Sequence, residues 1–133
     1  MPLDNTAAAA AQRISDNILS ADDGILAISI MDIKGNILAA KSKESFKEIF
    51  GLISDGEKYG GILAIATLTL VNEVKNIFGE AQAIITIHDN CKLMLLPMPS
   101  YRLLIGLVLQ RSVNAEDSHI ANKIERLLAS AHK

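Results

Sequence analysis

The chain has 133 residues, a formal net charge of -2 and a composition that is 50% hydrophobic, with a positive mean hydropathy. That length supports one core without staples. The near-neutral charge, with no basic cluster, excludes a general pull towards nucleic acid, and a single cysteine excludes an internal disulfide framework. So much apolar composition in a small domain predicts that some apolar area stays uncovered in the monomer, for a partner surface or a second copy.

The N-terminal "MPLDNTAAAAAQR" lacks the basic start and Leu-rich run of a secretory signal. The longest apolar run, Gly60 to Ala66 extended loosely to Val71, falls short of the roughly 20 residues that span a bilayer. A soluble, cytoplasmic protein of one domain, residues 1–133, is expected. Asp4, Asn5 and Thr6 offer N-caps to an alanine-rich helix ending near Ser20, with the stripe Ala7, Ala10, Ala11, Ile14, Ile18 and Ala21. Asp22-Asp23-Gly24 stops it. Strands follow at Ile25 to Met31 and Ile37 to Ala40, and Gly35 supplies the positive φ of the turn between them. The first of these strands is apolar on both faces, so it belongs in a sheet covered on both sides.

"KESFKEIFGLISDG" has Phe46, Ile49, Phe50 and Ile53 at helical spacing, predicting a short amphipathic helix. A longer helix begins at Glu57 or Gly60 and runs to Phe78, with Gly79 as its C′ residue. Three strands come next: Ala81 to His88, Cys91 to Leu96, and Tyr101 to Leu109. His88-Asp89-Asn90 is a tight turn, and Pro97 to Ser100 a bend. Asn114 caps a last helix with Glu116 and Asp117 in its first turn, and Ile120, Ala121, Ile124, Leu127, Leu128 and Ala131 form its apolar stripe. The order predicts a single α+β domain.

The long helix carries two faces at 100° per residue. Leu63, Leu70, Val74, Ile77 and Phe78 form one, which is expected to face the core. Ile62, Ile65 and Leu68 project on the other, with Gly61 and Ala64 small enough for close helix approach. Each large aliphatic is worth roughly 1.5–3 kcal/mol when fully buried, so this outward group predicts a contact surface. Two kinds of cover remain open: a second copy, or the short helix or N-terminal helix folded over it. The next strand, "AQAIITIH", has no proline or lysine in its middle and suits a sheet edge that its own copy would protect.

The hairpin "GILAISIMDIKGNILAA", the long apolar helix, the strands "AQAIITIHD", "KLMLLPM" and "YRLLIGLVL", and the capped last helix together resemble the roadblock family, related to profilin-like and longin folds. The resemblance spans nearly the whole chain. It implies a five-stranded antiparallel sheet, with the long helix on one face and the N- and C-terminal helices on the other. It also implies a homodimer through the long helix and the adjacent edge strand, Gly61 to Asn72 and Gln82 to His88. The candidate interface is Gly61, Ile62, Ala64, Ile65, Leu68, Thr69, Asn72, Ile84, Thr86 and His88. The family's roles imply a scaffold or regulator that works with a small GTPase or a GTPase-linked complex. Lys43 to Ser54 departs from the family's pattern and is placed to cover the dimer face or a partner site.

Chemistry is poorly represented. His88, Asp89 and Cys91 offer two or three metal ligands from one turn, short of a zinc set, with His119 and His132 remote in sequence. A turn with a part-buried cysteine explains them better, and also better than a Cys91 nucleophile served by His88. "DGEKYGG" lacks the Lys-Ser/Thr of a P-loop. Acidic residues fall singly, with no pair placed for acid–base work. The expectation is therefore a non-enzymatic dimeric module with no catalytic residue, cofactor or metal. The alternative is a PAS-like small-molecule sensor anchored by Ser29, Thr86 and Tyr101.

Overall fold

The computed structural model describes residues 2–34, 36–44, 66, 69–114 and 119–131, with the backbone alone at 2–8 and 131. Helix α1 is Pro2–Ala21, and strands β1 and β2 are Ile25–Asp32 and Ile37–Ser42. Residues 69–78 are helical and are designated α2. Strands β3 and β4 are Ile84–Ile87 and Cys91–Met98, a 3-10 turn covers Pro99–Tyr101, β5 is Leu103–Gln110, and α3 is His119–Ala131. The five strands form one open sheet in the order β2-β1-β5-β4-β3, antiparallel at every junction.

The apolar stripes find the sheet as their spacing predicts. Ala11, Ile14 and Ile18 of α1 and Ile120, Ile124 and Leu128 of α3 are buried in one cluster with Ile28, Ile30, Met94, Leu96, Ile105 and Leu107 of the central strands. Both terminal helices therefore cover the same sheet face. On the opposite face Met31, Leu95 and Leu104 are buried together, with Ile84 packed beside them. Apolarity on both sides of β1 thus reflects two separate clusters, one per face.

Local chemistry sets the turns. Asp22 Oδ1 accepts the Gly24 N–H at 2.8 Å, and the Asp22 carbonyl accepts the Ile25 N–H at 3.2 Å, which starts β1 directly after α1. In the first hairpin Asp32 Oδ1 accepts the N–H groups of Lys34 and Asn36, both at 2.9 Å, while Oδ2 accepts Asn36 Nδ2 at 3.0 Å. One carboxylate thereby replaces three solvent contacts of the turn. Gly35, Lys43 to Ser54 beyond Glu44, and the expected first-turn residues Glu116 and Asp117 lie outside the described residues.

Several boundaries differ from the sequence expectation, and β3, expected over Ala81 to His88, is confined to Ile84–Ile87. Helix α1 begins at Pro2, so Asp4, Asn5 and Thr6 lie inside it; the fixed φ of proline suits a first helical position. Strand β4 continues through Pro97, paired with Leu104, where a bend was expected. Strand β3 ends its pairing at Ile84 opposite Leu95, so no strand flanks Pro97 on that side, and a missing N–H costs little there. The bend comes at Pro99–Tyr101 instead, closed by the Arg102 N–H donating to the Pro99 carbonyl at 3.1 Å with Arg102 at φ 56°. Tyr101 and Arg102 consequently belong to the turn and not to β5.

Candidate protein-interaction surface

Strand β3 is the last strand of the sheet, and one of its edges is unpaired among the described residues. Its inner edge runs in register with β4, from Ile84 opposite Leu95 to Ile87 opposite Lys92. The His88 N–H donates to the Cys91 carbonyl at 2.9 Å, which carries the ladder one residue past Ile87. Hydrogen-bonded and non-bonded pairs alternate in an antiparallel ladder. The N–H groups of Ile85 and Ile87 therefore project from the free edge.

The candidate interface residues of β3 are accessible to different degrees. Ile84 is half-buried, whereas Thr86 and His88 are exposed. Thr86 Oγ1 and His88 Nε2 lie 2.9 Å apart, and Arg111 Nε donates to the His88 carbonyl at 3.0 Å, so the strand end is braced by its own side chains and by the turn after β5. Ile87, absent from the expected interface, is 52% exposed.

Helix α2 ends as predicted. Gly79 has φ 84°, and its N–H donates to the Lys75 carbonyl at 2.8 Å, satisfying one of the last free carbonyls of the helix. Thr69 and Asn72 are exposed on it. Gly61, Ile62, Ala64, Ile65 and Leu68 lie outside the described residues.

One expectation is overturned. The face holding Leu70, Val74, Ile77 and Phe78 was expected in the core, yet Leu70 is 65%, Ile77 76% and Phe78 79% exposed. Only Val71 and Val74 are half-buried. Helical spacing marks these residues as one apolar stripe but carries no information about which surface meets it. The exposed stripe and the open β3 edge are separated in sequence by residues 79–83 alone.

The remaining candidates do not assemble into a chemical site. Cys91 is buried, and burial pushes its thiol pKa up, away from the thiolate that a nucleophile or metal ligand needs. Among the described residues no group of three or more His, Cys, Asp or Glu side chains is placed to hold a metal ion. Ser29 lies on the sheet face of Met31, Leu95 and Gly106, while Tyr101 packs against the cluster under α1 and α3. Ser29 and Tyr101 thus serve opposite faces, and the three supposed anchors, Ser29, Thr86 and Tyr101, do not converge. The "DGEKYGG" stretch lies outside the described residues. No described helix is long and apolar enough to cross a membrane.

No sequence-family model and no curated protein sequence matches the chain. Solved structures do match it in fold. A roadblock/LC7 domain from Streptomyces avermitilis superposes with a TM-score of 0.63 at 9% identity, covering 91% of this chain and 93% of that one. MglB of Myxococcus xanthus gives 0.58 at 11% identity, covering 96% and 87%. The gliding protein MglB of Thermus thermophilus gives 0.58 at 14% identity, covering 90% and 85%. Such low identity speaks to architecture alone. Over nearly its full length the chain, with its open five-stranded antiparallel sheet and flanking helices, has the roadblock-family fold.

Proposed function

We propose that the chain is a non-enzymatic protein-interaction module that forms a homodimer and docks a small GTPase or a GTPase-linked complex. The observation that carries the self-association is the open β3 edge, with Ile87 exposed and the apolar stripe of Leu70, Ile77 and Phe78 just upstream. Unprotected edges and large uncovered apolar groups favour pairing with another chain. A second copy related by a two-fold axis meets both needs at once, since the same edge is presented by each. The proposed interface comprises Gly61, Ile62, Ala64, Ile65, Leu68, Thr69, Asn72, Ile84, Thr86 and His88, extended by Ile87. The GTPase class rests on the resemblance to the roadblock family, and the fold of the MglB gliding proteins is consistent with it.

Light scattering across a concentration series tests the dimer. The wild-type chain is expected at twice its 14.3 kDa mass, and Ile65→Asp with Leu68→Asp at the monomer mass with unchanged circular dichroism. A double variant that stays dimeric overturns this interface. The partner class is tested separately, with purified small GTPases of the same organism loaded with GDP or a GTP analogue and read by biolayer interferometry. Absence of binding in both nucleotide states removes the GTPase and leaves the dimer standing.

A further inference from the structure

A groove of about 390 Å³ lies on the sheet face covered by α1 and α3, between α3 and the β3–β4 end of the sheet. Its floor is apolar, built from Ile85, Met94 and Leu96. On the helix side Ala121 keeps the wall low. Two carboxylates stand on its margins, Glu125 from α3 and Glu80 from the segment that leads into β3, and among the described residues no Lys or Arg lines it. Glu80 also meets Lys75 at 3.6 Å, but both side chains are largely exposed, where such a pair is weak.

We propose that this groove docks a short amphipathic helix of a partner protein, one with an apolar stripe flanked by Lys or Arg. The chemistry selects that occupant over others. An apolar floor takes the stripe of a helix lying in a groove. Met94 below and Met98 at the end of β4 are unbranched and polarisable, so they adapt to differing side chains. Acidic margins, with no Lys or Arg among the described lining residues, attract basic flanks and repel acidic peptides and anionic lipid. None of the described residues of the proposed dimer interface lines the groove, although Ile85 of β3 does.

The probe is a fluorescein-labelled peptide about four turns long, with Leu along one helical stripe and Lys on both flanks, beside a control with Glu replacing each Lys. Anisotropy is read on the full chain. The Lys peptide is expected to bind, and Glu80→Lys with Glu125→Lys to weaken it at least about tenfold. Glu73→Lys with Asp89→Lys makes the same change in net charge away from the groove and is expected to keep the affinity within about twofold. In the wild type, amide shifts on titration are expected at Ile85, Met98 and Ala121. The proposal is overturned if the wild type does not bind, if the Glu peptide binds as tightly, or if both charge-reversed variants lose affinity equally. A fall in the mass of the free chain to monomer in the Glu80→Lys/Glu125→Lys variant, without peptide binding by the wild type, assigns the groove to a second copy and overturns it as well.

Discussion

Lys123 of α3 reaches Asp22 at the end of α1, with Nζ 3.4 Å from Asp22 Oδ2 and 3.2 Å from the Ala21 carbonyl oxygen. A cation from the last helix thus sits on the negative end of the first helix, across 101 residues of sequence. Lys43 Nζ donates to the Asp22 carbonyl at 3.0 Å from the other side. The two terminal helices are therefore joined at this point by charge as well as by their shared apolar cluster.

Replacing Lys123 by Met keeps much of the aliphatic stem and removes the cation. The side chains here are partly buried, and the loss is expected to be about 1 kcal/mol in urea denaturation. An unchanged midpoint would show that water replaces the contact without cost.

Asp22 and Asp32 make stability depend on pH. Asp22 is held below the ordinary carboxylate range by the Gly24 N–H, against partial burial, with further help from Lys123. At Asp32 burial acts upwards, but the hydrogen bonds from Asn36 and Lys34 outweigh it and the net shift is down. A folded pKa below the unfolded one gives stability that is present above the unfolded value and lost as pH falls through the folded one. The urea midpoint is expected to be steady above about pH 5 and to drop below about pH 4. Asp22→Asn with Asp32→Asn should start lower and show a shallower acid drop; a drop of equal steepness would assign it to other carboxylates.

Two glycines that look alike in sequence should respond differently to Ala. A Cβ on Gly24 would collide with Val113 Cγ2, whereas one on Gly106 would meet Leu95 Cδ2 and Met31 Cε at 3.5 Å, an ordinary contact. Gly24→Ala is expected to cost about 1–3 kcal/mol, and Gly106→Ala less than about 1 kcal/mol. Thermal melts of the two variants side by side check the order.

Ile87→Pro probes the edge without touching the inner ladder. The Ile87 N–H projects from the free side, so proline removes a donor that β4 does not use. The variant is expected to keep its circular dichroism and to run as a monomer in sedimentation. A dimer of undiminished affinity removes β3 from the interface.

Cys91 is expected to resist alkylation. It is buried, and burial raises its pKa, so little thiolate is presented at neutral pH. Iodoacetamide labelling followed by mass spectrometry should be slow in buffer and rapid in urea. Equal rates would mean that the β4 end opens readily.

The stripes of α1 and α3 were legible because each helix meets one surface, and the sites Ile14, Ile18, Ile120, Ile124 and Leu128 are buried as their spacing requires. The stop at Asp22-Asp23-Gly24 and the C′ role of Gly79 were legible because a short-range hydrogen bond or a positive φ decides each. Pro97 misled because its tolerance depends on β3 ending two residues short of it, a fact of pairing that no local rule contains. Leu70, Ile77 and Phe78 misled for a related reason: their spacing fits a core face as well as it fits a docking face. The groove beside α3 left no signal, since Glu80, Ile85, Met98 and Glu125 come together only when β3, β4 and α3 pack.

By itself the sequence determined which residues seek cover, where helices and strands begin to fail, and that β1 is wanted on both faces. Those properties follow from side-chain period and backbone preference over a few residues. Only the tertiary structure decided which strand residues pack with α1 and α3, that Met31, Leu95 and Leu104 form a separate cluster on the opposite face, and that the stripe of α2 is left exposed. Each of these depends on which of several apolar surfaces meet, and burial rewards any such meeting in proportion to area alone.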